Sequence, residues 1–462
     1  MVGVSECEER ERAELEKLSK GELIDLVIDL RRALRAMEER VNRLEGRQKP
    51  GRRPPLKGCG PGRKPGQGPF SRRAAPAPEN ITSTVEVPLE STACPECGAA
   101  LEITIEEASV TDVPPAPQPV ITLFRRQTGR CPACGNVVRA AHPALGPGQH
   151  GACAHQVGPV LKSLALCLHL QCGLPLRRVP GALQTLCGAS LTQGALTRLE
   201  LTLAAGPAAR VYQGLIDHLR KQSVVNTDDT GWRIGGKGAH LMGFFTKDTA
   251  LYQIRPQHRN EEVREVIGDD FAGILGTDRG KSYDARELDA VAQQKCLSHL
   301  IRNLKEVEEA KTGRAVKLSR EVKECLQEGL ALWRRHRRGE VGLEDYLRQG
   351  AEIDDELTVL LRPRDMADAD NQRLQNGIGR QHDRGRVLLF LRDPTVEPTN
   401  NVAERMLRPA VIARKVSQCS KNEAGATAYA VLKSLAVTWG LRGLSVAGQF
   451  LSLLSPKTSP AQ

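Results

Sequence analysis

Four cysteines of this chain stand in two matched pairs, Cys94-Pro95-Glu96-Cys97-Gly98 and Cys131-Pro132-Ala133-Cys134-Gly135. A Cys-x-x-Cys turn lets two thiolates reach one ion, and the glycine after each pair supplies the backbone freedom that such a turn demands. Two knuckles complete a tetrahedral four-thiolate zinc site, and a closed shell of four protein ligands is structural rather than catalytic. A redox pair is the competing reading, but redox motifs do not come twice with matching Pro and Gly. The 33 residues between the knuckles contain two β-prone runs, 101–105 and 120–124, expected to form a hairpin that carries them. Cys153, Cys167, Cys172 and Cys187 read as small core residues.

Three acids make a second constellation. Phosphodiester chemistry needs an activated nucleophilic oxygen and a stabilised leaving oxyanion, and two divalent ions about 4 Å apart supply both. Hard ions take carboxylate ligands. Asp228 follows a Val-rich strand, Asp278 ends the run Gly273-Ile274-Leu275-Gly276-Thr277, and Glu404 lies on a helix-like stretch that begins after Asn400. Taken singly, each of these acids reads as a cap or turn residue, because 55 acids give many chances.

The elements that must position these groups are legible from periodicity. Ser19 and Glu22 form a capping-box signature. After them Leu23, Val27, Leu30, Leu34, Met37, Val41 and Leu44 make a heptad seam, which reads as a dimerising coil or as a helix docked on its own protein. Residues 47–84 are a basic Pro/Gly-rich linker. Between Arg47 and Ala75 there are nine Lys or Arg and no acid. Arg52, Arg53, Arg63 and Lys64 in this stretch are expected to contact DNA phosphates. Helices are expected at 157–170 and 176–186, then a break at Gly188 and a third helix from about Thr192. That order is helix-turn-helix-like, with DNA reading or plain packing as its two uses. From 222 the period changes to strands, near 223–227, 240–246, 250–254 and 271–277. Helical sequence follows from Ala285 to about Arg362, then a polar stretch from Pro363 to Gly385, then helices from Val402 onward.

Composition bounds the function. At 462 residues the length suggests about three domains. The formal charge of +11 and the pI near 9.1 favour an anionic partner. No apolar run is long enough to span a bilayer, and the Glu-rich opening is not that of a signal peptide. The paired cysteines then imply a reducing, cytoplasmic setting.

Here a resemblance adds to the reading. Asn226-Thr227-Asp228-Asp229-Thr230-Gly231-Trp232-Arg233 resembles the Asp-Glu-Thr-x-Trp motif of the insertion sequence 66 family of transposases. Thr277-Asp278-Arg279-Gly280-Lys281-Ser282-Tyr283-Asp284 is similar to its second acidic motif. Cys296-Leu297-Ser298-His299-Leu300-Ile301-Arg302 is similar to its Cys-x-x-His-x-x-Arg element. Asn400-Asn401-Val402-Ala403-Glu404-Arg405-Met406-Leu407-Arg408-Pro409, followed by Arg414-Lys415, resembles its third motif. The sequence departs from the pattern at Asp229 (usually Glu), at Thr399 (usually Asp) and at Arg279-Gly280-Lys281 (usually a Gly-Ser-Tyr-like turn).

The resemblance implies an α/β protein. Its parts would be an N-terminal coiled-coil helix (1–46), the linker (47–84), a zinc-binding knuckle module (85–145), a helical domain (146–218), an RNase H-like catalytic domain (219–440) and a C-terminal tail (441–462). A helical insertion would occupy about 300–395, within the 125 residues between Asp278 and Glu404. It implies a DDE-type transposase of bacterial, nucleoid-associated setting, with Mg²⁺ or Mn²⁺ on Asp228, Asp278 and Glu404. Its partners would be terminal inverted repeats, target DNA, further copies of itself through the coil, and accessory transposition proteins. Arg302 is expected to neutralise phosphate charge and His299 to orient a hydroxyl, with helix packing and a surface ion pair as their plainer roles. Trp232 is expected either to stack on a displaced base or to pack under the sheet. Arg405, Arg408, Arg414 and Lys415 are expected to hold the DNA backbone. The rival functions are an RNase H-like nuclease without strand transfer and a catalytically inactive DNA-binding relic.

Overall fold

The computed structural model describes residues 76–89, 92, 96–100, 104–105, 110, 118–125, 127–140, 142, 157–417 and 419–455. The expected coil, the linker arginines and lysine (Arg52, Arg53, Arg63, Lys64) and Cys94 lie outside them. Contacts divide the chain into two units, Met1–Asp112 and Val113–Gln462. In the first, the described residues include one turn of 3-10 helix, Pro78–Asn80, and the exposed Cys97 followed by Gly98 at φ +73°.

The second unit opens with an antiparallel ribbon, β1 (Thr128–Arg130) and β2 (Val137–Arg139), and the second knuckle is its turn. The expected strand at 120–124 is not formed; those residues are exposed and irregular. Four helices follow: α1 (Pro159–Leu170), α2 (Val179–Cys187), α3 (Gln193–Ala205) and α4 (Pro207–Leu219). Gly188 ends α2 at φ +63°, a left-handed conformation that glycine adopts without strain. The Thr192 hydroxyl then caps α3 by accepting from the Ala195 amide. Break and restart fall where the sequence places them. Cys167 is buried in α1, whereas Cys172 is exposed and so is no core residue.

A five-stranded sheet comes next. β3 (Val224–Ile234), β4 (Lys237–Phe245) and β5 (Ala250–Arg255) form an antiparallel meander. α5 (Asn260–Ile267) then leads to β6 (Ile274–Thr277) and β7 (Ala292–Lys295). β6 pairs parallel to β3 and β7 parallel to β6, giving the order β5-β4-β3-β6-β7. After β7 come α6 (Leu297–Ala310), α7 (Lys317–Arg337), α8 (Leu343–Leu360), α9 (Ala369–Asp383) and the single turn α10 (Leu389–Arg392). These helices share a core of their own around Leu300, Leu326, Leu357 and Phe390. The chain returns to the sheet with α11 (Asn401–Ser417) and α12 (Glu423–Leu441) and continues to α13 (Val446–Leu454).

Two expectations are corrected here. Residues 292–295 form a strand inside a stretch read as helical, and α9 occupies the polar stretch between the expected helices, whereas α13, whose Phe450 is fully buried, continues the helices expected from Val402 onward. β7 and α9 escaped because their inward residues are polar. Gln293, Gln294 and Lys295 of β7, like Asn371, Gln375 and His382 of α9, are buried, so no apolar period marks them.

Both sheet edges are covered. β5 lies against α12, whose apolar residues go all round the helix, as a central helix requires. Its hydroxyls take up the strand's free backbone groups: Tyr252 N donates to Ser434 Oγ (2.7 Å) and Ala250 N to Thr438 Oγ1 (3.0 Å), which donates back to Ala250 O. At the other edge Lys295 N donates to Arg386 O (2.7 Å). The Gln294 side chain donates to Val387 O and accepts from Phe390 N. Among the described residues no helix is long and apolar enough to cross a membrane.

A buried amide that loses its acceptor keeps its desolvation cost, about 1–3 kcal/mol. Thr438→Val, which keeps the shape and removes the hydroxyl, is therefore expected to lower stability by about that amount. Urea denaturation checks this through a reduced midpoint at unchanged slope.

Candidate active site

Side chains alternate along a strand, and β3 uses both of its faces. Trp232 lies on the face covered by α11, in a core with Ala403 and Leu407. Asp228, four residues earlier, shares that side. Val225, Thr227 and Asp229 lie on the other, where Val225 and Tyr283 belong to a second core. Asp228 is thus not at the end of a strand, as the sequence suggests, but in the middle of a long one, opposite Gly243 of β4. A Cβ at Gly243 would fall 2.2 Å from the Phe245 ring, so that ring closes over the strand at the level of Asp228 only because the position is glycine.

Asp278 follows β6 directly. Because β6 runs parallel to β3, with Asn226 beside Gly276, Asp278 at the end of β6 comes alongside Asp228 in the middle of β3. Asp278 Oδ1 accepts from the Gly280 amide (2.8 Å), and Asp228 Oδ1 accepts from the Asp229 amide (2.9 Å). One carboxylate oxygen each from Asp228, Asp229 and Asp278 lies within 4.8 Å of the others. Burial, then the charge of Asp278, push the Asp228 carboxyl up to about 7, with Asp229 and Glu404 adding to the repulsion. A buried carboxylate among like charges wants a cation, and an all-oxygen donor set suits Mg²⁺ or Mn²⁺.

Glu404 stands one turn into α11, with its side chain 40% exposed. It is near enough to be felt at Asp228, but its nearest donors are His299, at 3.8 Å, and Cys296, the three within 4.8 Å of one another. His299 lies in the first turn of α6, and Arg302, three residues on, is exposed. Burial opposes ionisation of the Cys296 thiol, yet contacts from His299 and from the Asn400 amide hold it below its ordinary value. The same sulfur contact, partly offset by burial, holds His299 above its own.

The ties that hold these pieces are buried and were not singled out by sequence reasoning. Cys296 N donates to Thr277 O (2.8 Å), fixing the start of α6 to the end of β6. Asn400 N donates to Cys296 Sγ (3.2 Å), while its side-chain amide donates to Thr227 O (2.8 Å), one residue before Asp228. Glu404 N in turn donates to Asn400 O. Asn400 therefore joins α11 to β3 and α6 at once; in the sequence it reads only as a helix cap. Behind the acids, Thr227 Oγ1 meets Tyr283 Oη (3.2 Å), and the buried Lys295 pairs with Asp284 (3.0 Å).

Of the cations expected to face DNA, Arg405, Arg408 and Lys415 are exposed on α11. Contacts bear on two more of the expected residues. Trp232 is 4% exposed, stacks on Tyr429 at 5.4 Å and donates its indole N–H to Ser420, which is the second of its two expected roles, packing under the sheet. Arg414 turns back onto β3, donating to Thr230 Oγ1 (3.0 Å) and to Gly231 O.

At the second knuckle, Cys131 N donates to Asn136 O and Gly135 N to Cys131 O, with Gly135 at φ +73°, matching Gly98 after the first. The amides of Cys134 and Ala133 hold the Cys131 thiol below its ordinary value, the setting of a thiolate ligand.

None of the curated proteins compared with this chain matches it. The model of the family described as Transposase IS66 family matches residues 154–428, more than half of the chain, with Asp228, Asp278 and Glu404 inside the match. With that match added to the gathered acids, the chain belongs to the IS66 family of transposases.

Proposed function

We propose that the chain is a DDE-type DNA transposase that cuts the ends of an insertion sequence and joins them to target DNA. The observation that carries this reading is the meeting of Asp228 and Asp278 on adjacent parallel strands, with Glu404 brought alongside by α11. The order β5-β4-β3-β6-β7, three antiparallel strands and then two parallel to the first, supports an RNase H-like catalytic core. The separately packed α7–α10 supports a helical insertion. In the same reading the cysteines of the two knuckle motifs, Cys94 and Cys97 in one and Cys131 and Cys134 in the other, are ligands for structural zinc.

Asp228, Asp278 and Glu404 would hold Mg²⁺ or Mn²⁺. Such ions would supply Lewis-acid activation of a water or a DNA 3′-hydroxyl and positive charge for the leaving oxyanion. The protein's own part is to fix the ligands beforehand, through the Asn400 and Cys296 ties, so that little reorganisation remains for the reacting state. His299, held toward its protonated form by Cys296, sits beside Glu404 and places a positive charge or a donor next to the scissile phosphate. Arg302, Arg405, Arg408 and Lys415 supply exposed cations around it for the DNA backbone, whose contacts position but do not specify.

Purified protein with Mg²⁺ is expected to join precut inverted-repeat ends to a target duplex, and Asp228→Asn to reduce this by at least on the order of 10²–10³-fold, the loss that follows removal of one preorganised electrostatic group. Full activity in Asp228→Asn would remove Asp228 from the site, and cleavage with no joined product would mark a nuclease.

Stability should move the other way. Folding raises the Asp228 carboxyl from 3.8 to about 7, so metal-free protein loses stability as pH rises from about 4 to about 7. Asp228→Asn removes the share of that decline due to this carboxyl, and its Tm should exceed that of the parent near pH 7 without metal. Adding Mg²⁺ should raise the Tm of the parent alone. Arg405→Ala with Arg408→Ala should weaken binding of unrelated duplexes equally and flatten the dependence of log Kd on log salt by about 2, measured by fluorescence anisotropy.

A further inference from the structure

The acid on the other side of β3 has partners of a different kind. Asp229 Oδ2 lies 2.9 Å from His240 Nδ1, and Asp229 Oδ1 lies 3.2 Å from His258 Nδ1. The elements bring them together in a simple way. His240 on β4 stands opposite Gly231, and because that position has no side chain the imidazole reaches the diagonal neighbour Asp229. His258 comes from the loop between β5 and α5 and is nearly buried, its ring edge-on to Tyr283 at 5.4 Å. The one-residue step from Asp228 to Asp229 thus leads from the carboxylate cluster to an acid that borders it and also meets two imidazoles.

We propose that Asp229, His240 and His258 form a second cation site, taking a borderline transition ion such as Zn²⁺, beside the carboxylate centre and distinct from it in metal preference. Two imidazoles and a carboxylate are the donor set that such ions prefer and Mg²⁺ does not. The spacing fits. Ligands at 2.0–2.1 Å in tetrahedral geometry stand roughly 3.3 Å apart, and the three donors already lie within 4.8 Å of one another. The second contact of His258 fits as well: its Nε2 is 3.2 Å from Ser282 Oγ, the outer hydrogen bond that orients a metal-bound imidazole. The His240 side chain is 41% exposed, which opens a path for the ion and leaves a coordination position for water or for an oxygen of a bound phosphate. Without an ion the same groups hydrogen-bond. Burial pushes the Asp229 carboxyl up, but the bonds from His258 and His240 outweigh it and hold the group below its ordinary value. The site stands whether or not the neighbouring acids transfer phosphodiesters.

Titration of the full chain with Co²⁺ tests it, because ions on thiolates and ions on imidazole and carboxylate absorb differently. One equivalent is expected to show visible d–d bands without a sulfur-to-metal charge-transfer band. His240→Ala should lose that equivalent and leave the thiolate-bound metal unchanged. His258→Gln, which keeps a polar group against Tyr283 and Ser282, is the second variant and should weaken the same equivalent at least tenfold. Zn²⁺ should displace Co²⁺ there, and excess Mg²⁺ should not. If both variants bind Co²⁺ as the parent does, or if the sulfur-free equivalent never appears in folded protein, the cluster is a hydrogen-bonded support for Asp229 and the proposal is overturned. Each readout is metal binding, so failure here stays separate from failure of strand transfer.

Discussion

Carboxylates crowded into one place repel one another, and the architecture around Asp228 is arranged against that repulsion. In a half-buried pocket the cost is large, as the displacement of the Asp228 carboxyl up to about 7 shows. The acids cannot move apart, because their backbones are fixed from below. Parallel pairing of β3 with β6 sets the spacing of Asp228 and Asp278. Thr227, Thr277, Cys296 and Asn400 then lock four elements, β3, β6, α6 and α11, together through buried hydrogen bonds. The instability of the site is thus held by contacts that the acids themselves do not make.

That support gives a second meaning to the residues of the Cys-x-x-His-x-x-Arg and Asn-Asn-x-x-Glu elements. Cys296 is fully buried and Asn400 nearly so, and both use their polar groups on backbone and on each other. Through these bonds they fix the segments that carry Glu404 and His299. Removing either would leave a buried donor or acceptor without its partner and would shift α11 relative to β3, so such residues carry a structural constraint on the chemistry.

The helical parts serve the sheet in the same way. α12 satisfies the free edge of β5 with Ser434 and Thr438, and residues 386–390, which follow α9, satisfy β7. The helices α6–α10 are therefore no loose appendage on the sheet, since the edge of β7 is closed only when the chain has come back from them. An exposed edge would offer unpaired amides to other chains; here the fold covers both.

Much of this was written in local sequence. Gly188 and Thr192 mark a helix stop and start because left-handed backbone and N-capping need particular side chains at particular positions. The knuckle glycines, both at φ +73°, follow from the same rule. The Val-rich β3 and the acidic motifs were legible because apolar period and motif order are local. What the sequence could not decide is whatever depends on which face meets which neighbour. β7 and α9 bury amides, a lysine and a histidine, and polar residues turn inward only when distant partners satisfy them. Trp232 and Arg414 have the residue types of DNA contacts, yet packing assigned one to Tyr429 and the other to the β3 backbone. Asp228 and Asp229 are adjacent in sequence and alike in charge, and the pleat of β3 gives them different partners: both lie near Asp278, but only Asp229 also reaches two histidines, from β4 and from the loop after β5. Residue type and spacing set which chemistry was available; long-range pairing of strands and the burial it imposes decided which side chains carry it.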